Sequence, residues 1–208
     1  MRDCLFLVAD KTMGGMVRGF LSRENFHLSL NCGPFEFDPK QDLLVANGLN
    51  DPGLYNRANE LLKGYRKSYR HAVVILDADW DGSPGTLDIL TRLRSHLEDA
   101  GWNRNEACAV VIDPELENWV WQDSRHVCAA VGYESFDRLR VDLEGQGFWL
   151  PGQNKPLRPK EAFEWTLRKT GKPLSSSIYQ QMAAKVSIKG CKDEAFIDLI
   201  TALRSWFQ

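Results

Sequence analysis

The chain has little that would mark an established catalytic apparatus. Its four histidines (His27, His71, His96, His126) show no HxH or HExxH spacing, so a histidine metal centre is not expected. No GxSxG elbow and no Cys/His nucleophile pattern occurs. The Gly-Lys-Ser/Thr ending of a phosphate loop is also missing. The five cysteines (Cys4, Cys32, Cys108, Cys128, Cys191) form no CxxC, which argues against a zinc site or a disulfide framework and suits a reducing cytosol. No apolar run reaches the roughly 18 residues of a membrane span. The start, Met1-Arg2-Asp3-Cys4, runs directly into an apolar stretch and lacks the build of a signal peptide, so a cytoplasmic chain with no membrane partner is expected. There is no excess of basic charge either. At a net charge of −2, any hold on nucleic acid must come from a local basic patch or a bridging metal.

What is present is an ordinary globular composition: 208 residues, 43% hydrophobic and 26% charged. That length allows one α/β domain with a helical appendage. Cys4–Ala9 reads as a buried strand, and Gly14–Arg23 as the helix after it. Phe26–Asn31 alternates and reads as a second strand, and Pro34–Pro39 as a loop. Asp51-Pro52 opens a helix, with Asp51 as its N-cap, carrying Leu54, Ala58, Leu61 and Leu62. His71–Asp77 is the strongest strand signal, with five consecutive apolar residues. Ser83-Pro84 starts a helix with a Leu87, Leu90, Leu93, Leu97 stripe that ends at Gly101. Ala107–Asp113 is another buried strand, and Leu116, Trp119 and Val120 line a helix after it. Strands alternating with helices imply a mainly parallel sheet. After about residue 145 the pattern changes. Gly145–Pro159 reads as a linker, and Lys160–Lys169, Leu174–Lys185 and Lys192–Phe207 as helices.

Three strand ends carry acids. In Asp77-Ala78-Asp79, alternation sets both carboxylates on one side at the carboxyl end of the strand, where open α/β sheets bind ligands. Two such carboxylates repel, and a hard cation such as Mg²⁺ relieves them. Asp81-Gly82 prolongs the acidic turn, but no glutamate sits where an EF-hand loop needs one. Asp113-Pro114-Glu115-Leu116-Glu117 places Glu115 and Glu117 at the same edge of the sheet. Pro114 suits the first helical turn, and the acids would also complement a helix dipole. Asp10, in the Gly-containing loop Asp10–Gly15, could add a third carboxylate, and the loop's N–H groups could take a phosphate. Trp119 and Trp121 read as packing residues. The basic residues Lys155, Arg158, Lys160, Arg168, Lys169, Lys172, Lys185, Lys189 and Lys192 are a solvated face, or a hold on a phosphate backbone if they converge beside the acids.

The run VVILDADWD, the preceding β-α unit and the following strand–PELENW together resemble the Toprim superfamily, the topoisomerase–primase and OLD-nuclease fold. The match is to its small stand-alone branch beside restriction and phage-defence genes. Glu115-Leu116-Glu117-Asn118-Trp119 is similar to that branch's Glu-x-Glu-x-Trp, and Ser177–Tyr179 through Cys191–Phe196 to its helical tail. The resemblance implies a Toprim-like Rossmannoid three-layer α/β sandwich over residues 1–145, with residues 146–208 as a helical extension packed on it. It implies a bacterial Mg²⁺- or Mn²⁺-dependent nuclease or phosphoryl-transfer protein of an anti-phage system. Asp77, Asp79, Glu115 and Glu117 would be metal ligands, and Asp10, Glu115 and Asp77 catalytic. Its partners would be DNA or RNA and other defence proteins, and a homo-oligomer is allowed. Where the family's first strand ends in glutamate, this chain has Ala9 followed by Asp10. That departure keeps a second reading open: a catalytically degenerate Toprim-like subunit that binds or scaffolds within a multiprotein complex. A nucleotide- or small-molecule-binding α/β domain using the same crevice is a third.

Overall fold

The computed structural model describes residues 1–189 and 191–208. Gly190, inside the tail segment similar to the family's, lies outside the described residues. The described chain forms an α/β sandwich around one four-stranded, all-parallel sheet of order β2-β1-β3-β4. The strands are β1 (Arg2–Val8), β2 (Leu43–Val45), β3 (Tyr69–Asp77) and β4 (Ala107–Ile112). The two central strands carry apolar stretches, Cys4–Val8 and Ala72–Leu76, because helices cover both faces there: every residue from Ala72 to Leu76 is fully buried.

Ten helices accompany the sheet among the described residues. The first five are α1 (Lys11–Leu21), α2 (Phe26–Leu30), α3 (Asn50–Leu62), α4 (Thr86–Asp99) and α5 (Glu117–Val120). They are followed by α6 (Arg125–Val131), α7 (Phe136–Gly145), α8 (Pro159–Thr170), α9 (Ser176–Ala183) and α10 (Glu194–Trp206). Helices α3 and α4 pack together on one face of the sheet. Helices α1, α9 and α10 make the other layer, with Phe20 of α1 edge-on to Phe196 of α10. The chain after residue 146 thus supplies part of a sheet-covering layer. Residues Phe196, Leu199 and Leu203 are its buried stripe on α10. No helix among the described residues is long and apolar enough to cross a membrane.

Several local expectations change. Phe26–Asn31 is not a strand but the single-turn helix α2, framed by Asn25 and Asn31 in the left-handed region. Phe26 and Leu30, four apart, are buried, while Leu28 between them is exposed. The second strand is instead the three-residue edge Leu43–Val45. The phosphate-cradling loop expected at Asp10–Gly15 is the start of α1: Asp10 caps it, accepting from the Met13 N–H at 2.8 Å. Glycines 15 and 19 serve close packing, since a Cβ on either would collide with the backbone carbonyl of Ser176 or Gln180 on α9. Ser83 does not cap α4, which starts after Gly85. The Ser83 hydroxyl donates to the Ala78 carbonyl instead. The buried stripe of α4 is Ile89, Leu93, His96 and Leu97, with Leu87 exposed. Pro114 lies in a turn ahead of α5, where its carbonyl accepts from Ala78 N–H at 3.1 Å and Asp79 N–H at 3.0 Å.

Candidate functional site

The order β2-β1-β3-β4 reverses direction between β1 and β3, and the crevice at the carboxyl ends of such strands is where doubly wound sheets bind ligands. Acids from four separate elements meet there. Asp10 follows β1, Asp51 stands in the first turn of α3, Asp77 ends β3, and Glu115 and Glu117 follow β4. The Asp77 carboxyl is pushed far above the usual range, first by burial, then by the neighbouring charges of Asp51, Glu117, Asp10 and Glu115. Its Oδ1 is sealed from solvent and has no hydrogen-bond partner among the described residues.

The other four acids each have a local role. Asp10 Oδ1 takes the Met13 N–H and the Thr12 hydroxyl, the latter at 2.6 Å. Asp51 accepts the Asp77 N–H at 2.8 Å, and burial raises its carboxyl. Glu115, 7% exposed, accepts the backbone N–H of Lys160 at 2.9 Å. Burial lifts its carboxyl to about 7, opposed by that hydrogen bond. Glu117 takes the Tyr179 hydroxyl, and burial raises it too. The Tyr179 phenol is itself pushed up by burial and by the charge of Glu117.

Lys160 is the cation of the site. Its Nζ lies 4.0 Å from Glu115 Oε2. Burial works against its charge, but Glu115, Glu117 and Asp77 together outweigh that and hold the ammonium above its ordinary value. Asp51, Asp77, Glu115 and Glu117 feel this lysine, and burial holds each of them protonated more readily than usual in its presence. The donor set, carboxylates with one orphaned buried oxygen, has the chemistry that a hard divalent cation requires. The side chains are not closed around a point: among the described residues no three His, Cys, Asp or Glu groups form a ready-made metal cage.

The sequence-predicted residues therefore divide. Asp10, Asp77, Glu115 and Glu117 come together. Asp79 does not, because β3 ends at Asp77, the pleat stops there, and Asp79 is exposed beyond it. Of the basic residues Lys160 joins the acids, while Lys155, Lys189 and Lys192 stand elsewhere. Lys155 donates to the Asn118 carbonyl at 2.7 Å, and with Lys189 and Lys192 it lines a cleft of about 1050 Å³ whose walls also carry Asp113, Asp123, Asp193, Glu194 and Asp198. Trp119 and Trp121 are packing residues, donating to Asp193 and to the Pro159 carbonyl. Two members of the site were missed. Asp51 reads as an N-cap, yet Leu49 occupies that position and Asp51 turns back to β3. Tyr179 reads as part of the helical tail and not as a site residue, since it is the packing of α9 on α1 that brings it to the acids. A scan against protein-family models found no match, and neither did searches of curated proteins and of solved structures.

Proposed function

We propose that the chain is a Mg²⁺- or Mn²⁺-dependent phosphodiesterase acting on nucleic acid, in the manner of the Toprim-like proteins it resembles, and that it serves an anti-phage defence system. The observation that carries this reading is the orphaned, buried oxygen of Asp77 among four further acids at the switch point of the sheet. Asp77, Glu117 and Asp10 would hold the ion. When bound, it supplies the positive charge that polarises a phosphoryl oxygen and acidifies water. Glu115, beside these ligands and not among them, would take a proton from the attacking water. Lys160 offers a fixed positive charge beside the phosphoryl oxygens. Tyr179 holds Glu117 in place.

A second reading, a catalytically degenerate subunit that binds within a larger complex, is favoured by the exposed position of Asp79 and by the open arrangement of the acids. One pair of measurements separates the two. Wild type and Asp77→Asn are incubated with single- and double-stranded DNA and RNA in Mg²⁺ or Mn²⁺, and their melting temperatures are recorded with and without the ion. The nuclease reading expects cleavage that Asp77→Asn abolishes, and a cation-dependent rise in melting temperature in wild type alone. Stabilisation without cleavage leaves the binding subunit. Neither effect refutes the metal site altogether.

A further inference from the structure

Strand β4 ends the sheet on one side, and half of its backbone groups face away from β3. The Ala72 N–H bonds to the Glu106 carbonyl at 3.2 Å and the Ala78 N–H to the Ile112 carbonyl at 2.8 Å, so the even-numbered residues here are the ones turned to β3. The N–H groups of Ala107, Ala109 and Val111 point the other way and find no hydrogen-bond partner among the described residues. The opposite edge strand, β2, is three residues long and offers little to pair with. Strand β4 runs for six, Ala107–Ile112, with no proline or charge inside it and no break in its register against β3. Natural sheets blunt such an edge with prolines, charges or bulges, or else cover it.

A groove follows the edge. Ala107 and Ala109 line a cleft of about 470 Å³, and Val111 lines the cleft of about 1050 Å³ at the other end of the strand. Asp198 of α10 borders both, so the two are continuous, with α4 as one wall and α10 as the other. The walls differ in charge. Arg94 on α4 and Asp198 on α10 are exposed, and the Cys108 thiol of β4 feels both. Neither joins an ion pair among the described residues, whereas Arg104 and Glu98 at the end of the groove pair with each other.

We infer that the edge of β4 takes an extended peptide of a partner protein as a fifth strand, one with an acidic and a basic residue side by side in an otherwise apolar run. Consecutive side chains of an added strand point to opposite faces. An acid at one position then meets Arg94, and a base at the next meets Asp198. Leu90 and Leu97 on one wall and Ala202 on the other receive apolar neighbours. Bonds to the three open N–H groups supply affinity, and the side chains supply the choice of partner. A second copy of this chain fits worse. The two-fold axis that joins two such edges antiparallel stands normal to the sheet, so α4 meets α4 and α10 meets α10. Asp198, at mid-groove, then faces its own copy, and Arg94 approaches its own.

The test is fluorescence anisotropy on the full chain with a short labelled peptide of alternating valine and threonine and Glu-Lys at its centre. Saturable binding below about 1 mM is expected. Methyl groups on alternate peptide nitrogens should abolish binding when placed on one set and spare it on the other, because only every second N–H of an added strand faces β4. Arg94→Glu should weaken binding about 3- to 10-fold, and a peptide with Lys-Lys in place of Glu-Lys should recover it. Ala109→Pro removes one open N–H and none that faces β3, so it should weaken binding without disturbing the ladder. No binding below about 1 mM, the same result from both methylated sets, or an Arg94→Glu protein that binds as wild type does overturns the peptide. So does a dimer in sedimentation that Ala109→Pro dissolves, which would put a second copy on the edge.

Discussion

Replacing Glu115 by glutamine should stabilise the protein at alkaline pH and leave it unchanged at acid pH. Glutamine keeps the shape and the carbonyl that accepts the Lys160 N–H, so only the charge is removed. A rise of the carboxyl from 4.5 to about 7 disfavours the ionised form by about 3 kcal/mol. The side chain is only 10% exposed, so water screens little of that. Below about pH 4.5 both folded and unfolded chains hold the proton, and the variant gains nothing. Between about pH 4.5 and 7 the unfolded chain ionises while the folded chain does not, so wild type loses stability steadily. Above 7 both are ionised and the loss is constant. The attraction of Lys160 is already contained in that value, so the gain stays at about 3 kcal/mol. For a chain of this size that is a rise of about 6–12 °C in melting temperature. Urea titrations of both proteins at about pH 4.5 and about pH 8.5, without divalent cations, measure the difference directly. A difference that does not change with pH, or a variant less stable at the higher pH, would refute the claim that burial holds this carboxyl above its ordinary range.

Two other substitutions probe how the site is assembled. Gly19→Ala should cost about 3 kcal/mol or more in urea, because the added methyl meets the rigid backbone carbonyl of Gln180 and α1 must part from α9; a loss under about 0.5 kcal/mol would contradict the close approach. Tyr179→Phe should cost about 1–3 kcal/mol above the pH at which Glu117 ionises, and less where Glu117 is protonated, since the lost hydroxyl serves the charged form. A pH-independent loss would assign Tyr179 to packing alone.

How much of this was legible depended on whether a signal was local. Strands β1, β3 and β4 each contain an apolar run, Cys4–Val8, Ala72–Leu76 and Ala107–Ile112, and each could be read because both faces of the parallel sheet are covered. The acids Asp10, Asp77, Glu115 and Glu117 followed from the same reading, since a strand end in such a sheet faces the crevice. Edge strand β2 has three half-buried residues, too few for a period to show. With β2 unread, Asp51 had no strand end to belong to, and its Asp-Pro context imitated a cap. Asp79 failed for the opposite reason. Alternation holds only while the strand lasts, and β3 stops at Asp77, where the turn after β4 takes up the next two N–H groups. Lys160 and Tyr179 reach the site through tertiary packing over distances in sequence that no motif spans.

A fold does not gather five acids at one edge of its sheet without cost, and the way that cost is distributed identifies the residue that matters. Asp10 caps α1, Asp51 secures the end of β3, Glu115 tethers the start of α8, and Glu117 receives Tyr179. Each of these contacts offsets part of its own carboxylate's burial, and each could persist for structural reasons alone. Asp77 has no such contact at Oδ1, and its backbone N–H, not its carboxyl, makes the bond to Asp51. Among the described residues two other buried polar atoms lack partners, His96 Nδ1 and Trp102 Nε1, but both belong to groups that can be buried without charge. Asp77 differs in being an acid held against its ionisation by four others. An asparagine or a leucine there would serve the fold better. The proposed cation would account for its presence by preferring the carboxylate, which is why the cation dependence of Asp77→Asn is the measurement on which the functional reading turns.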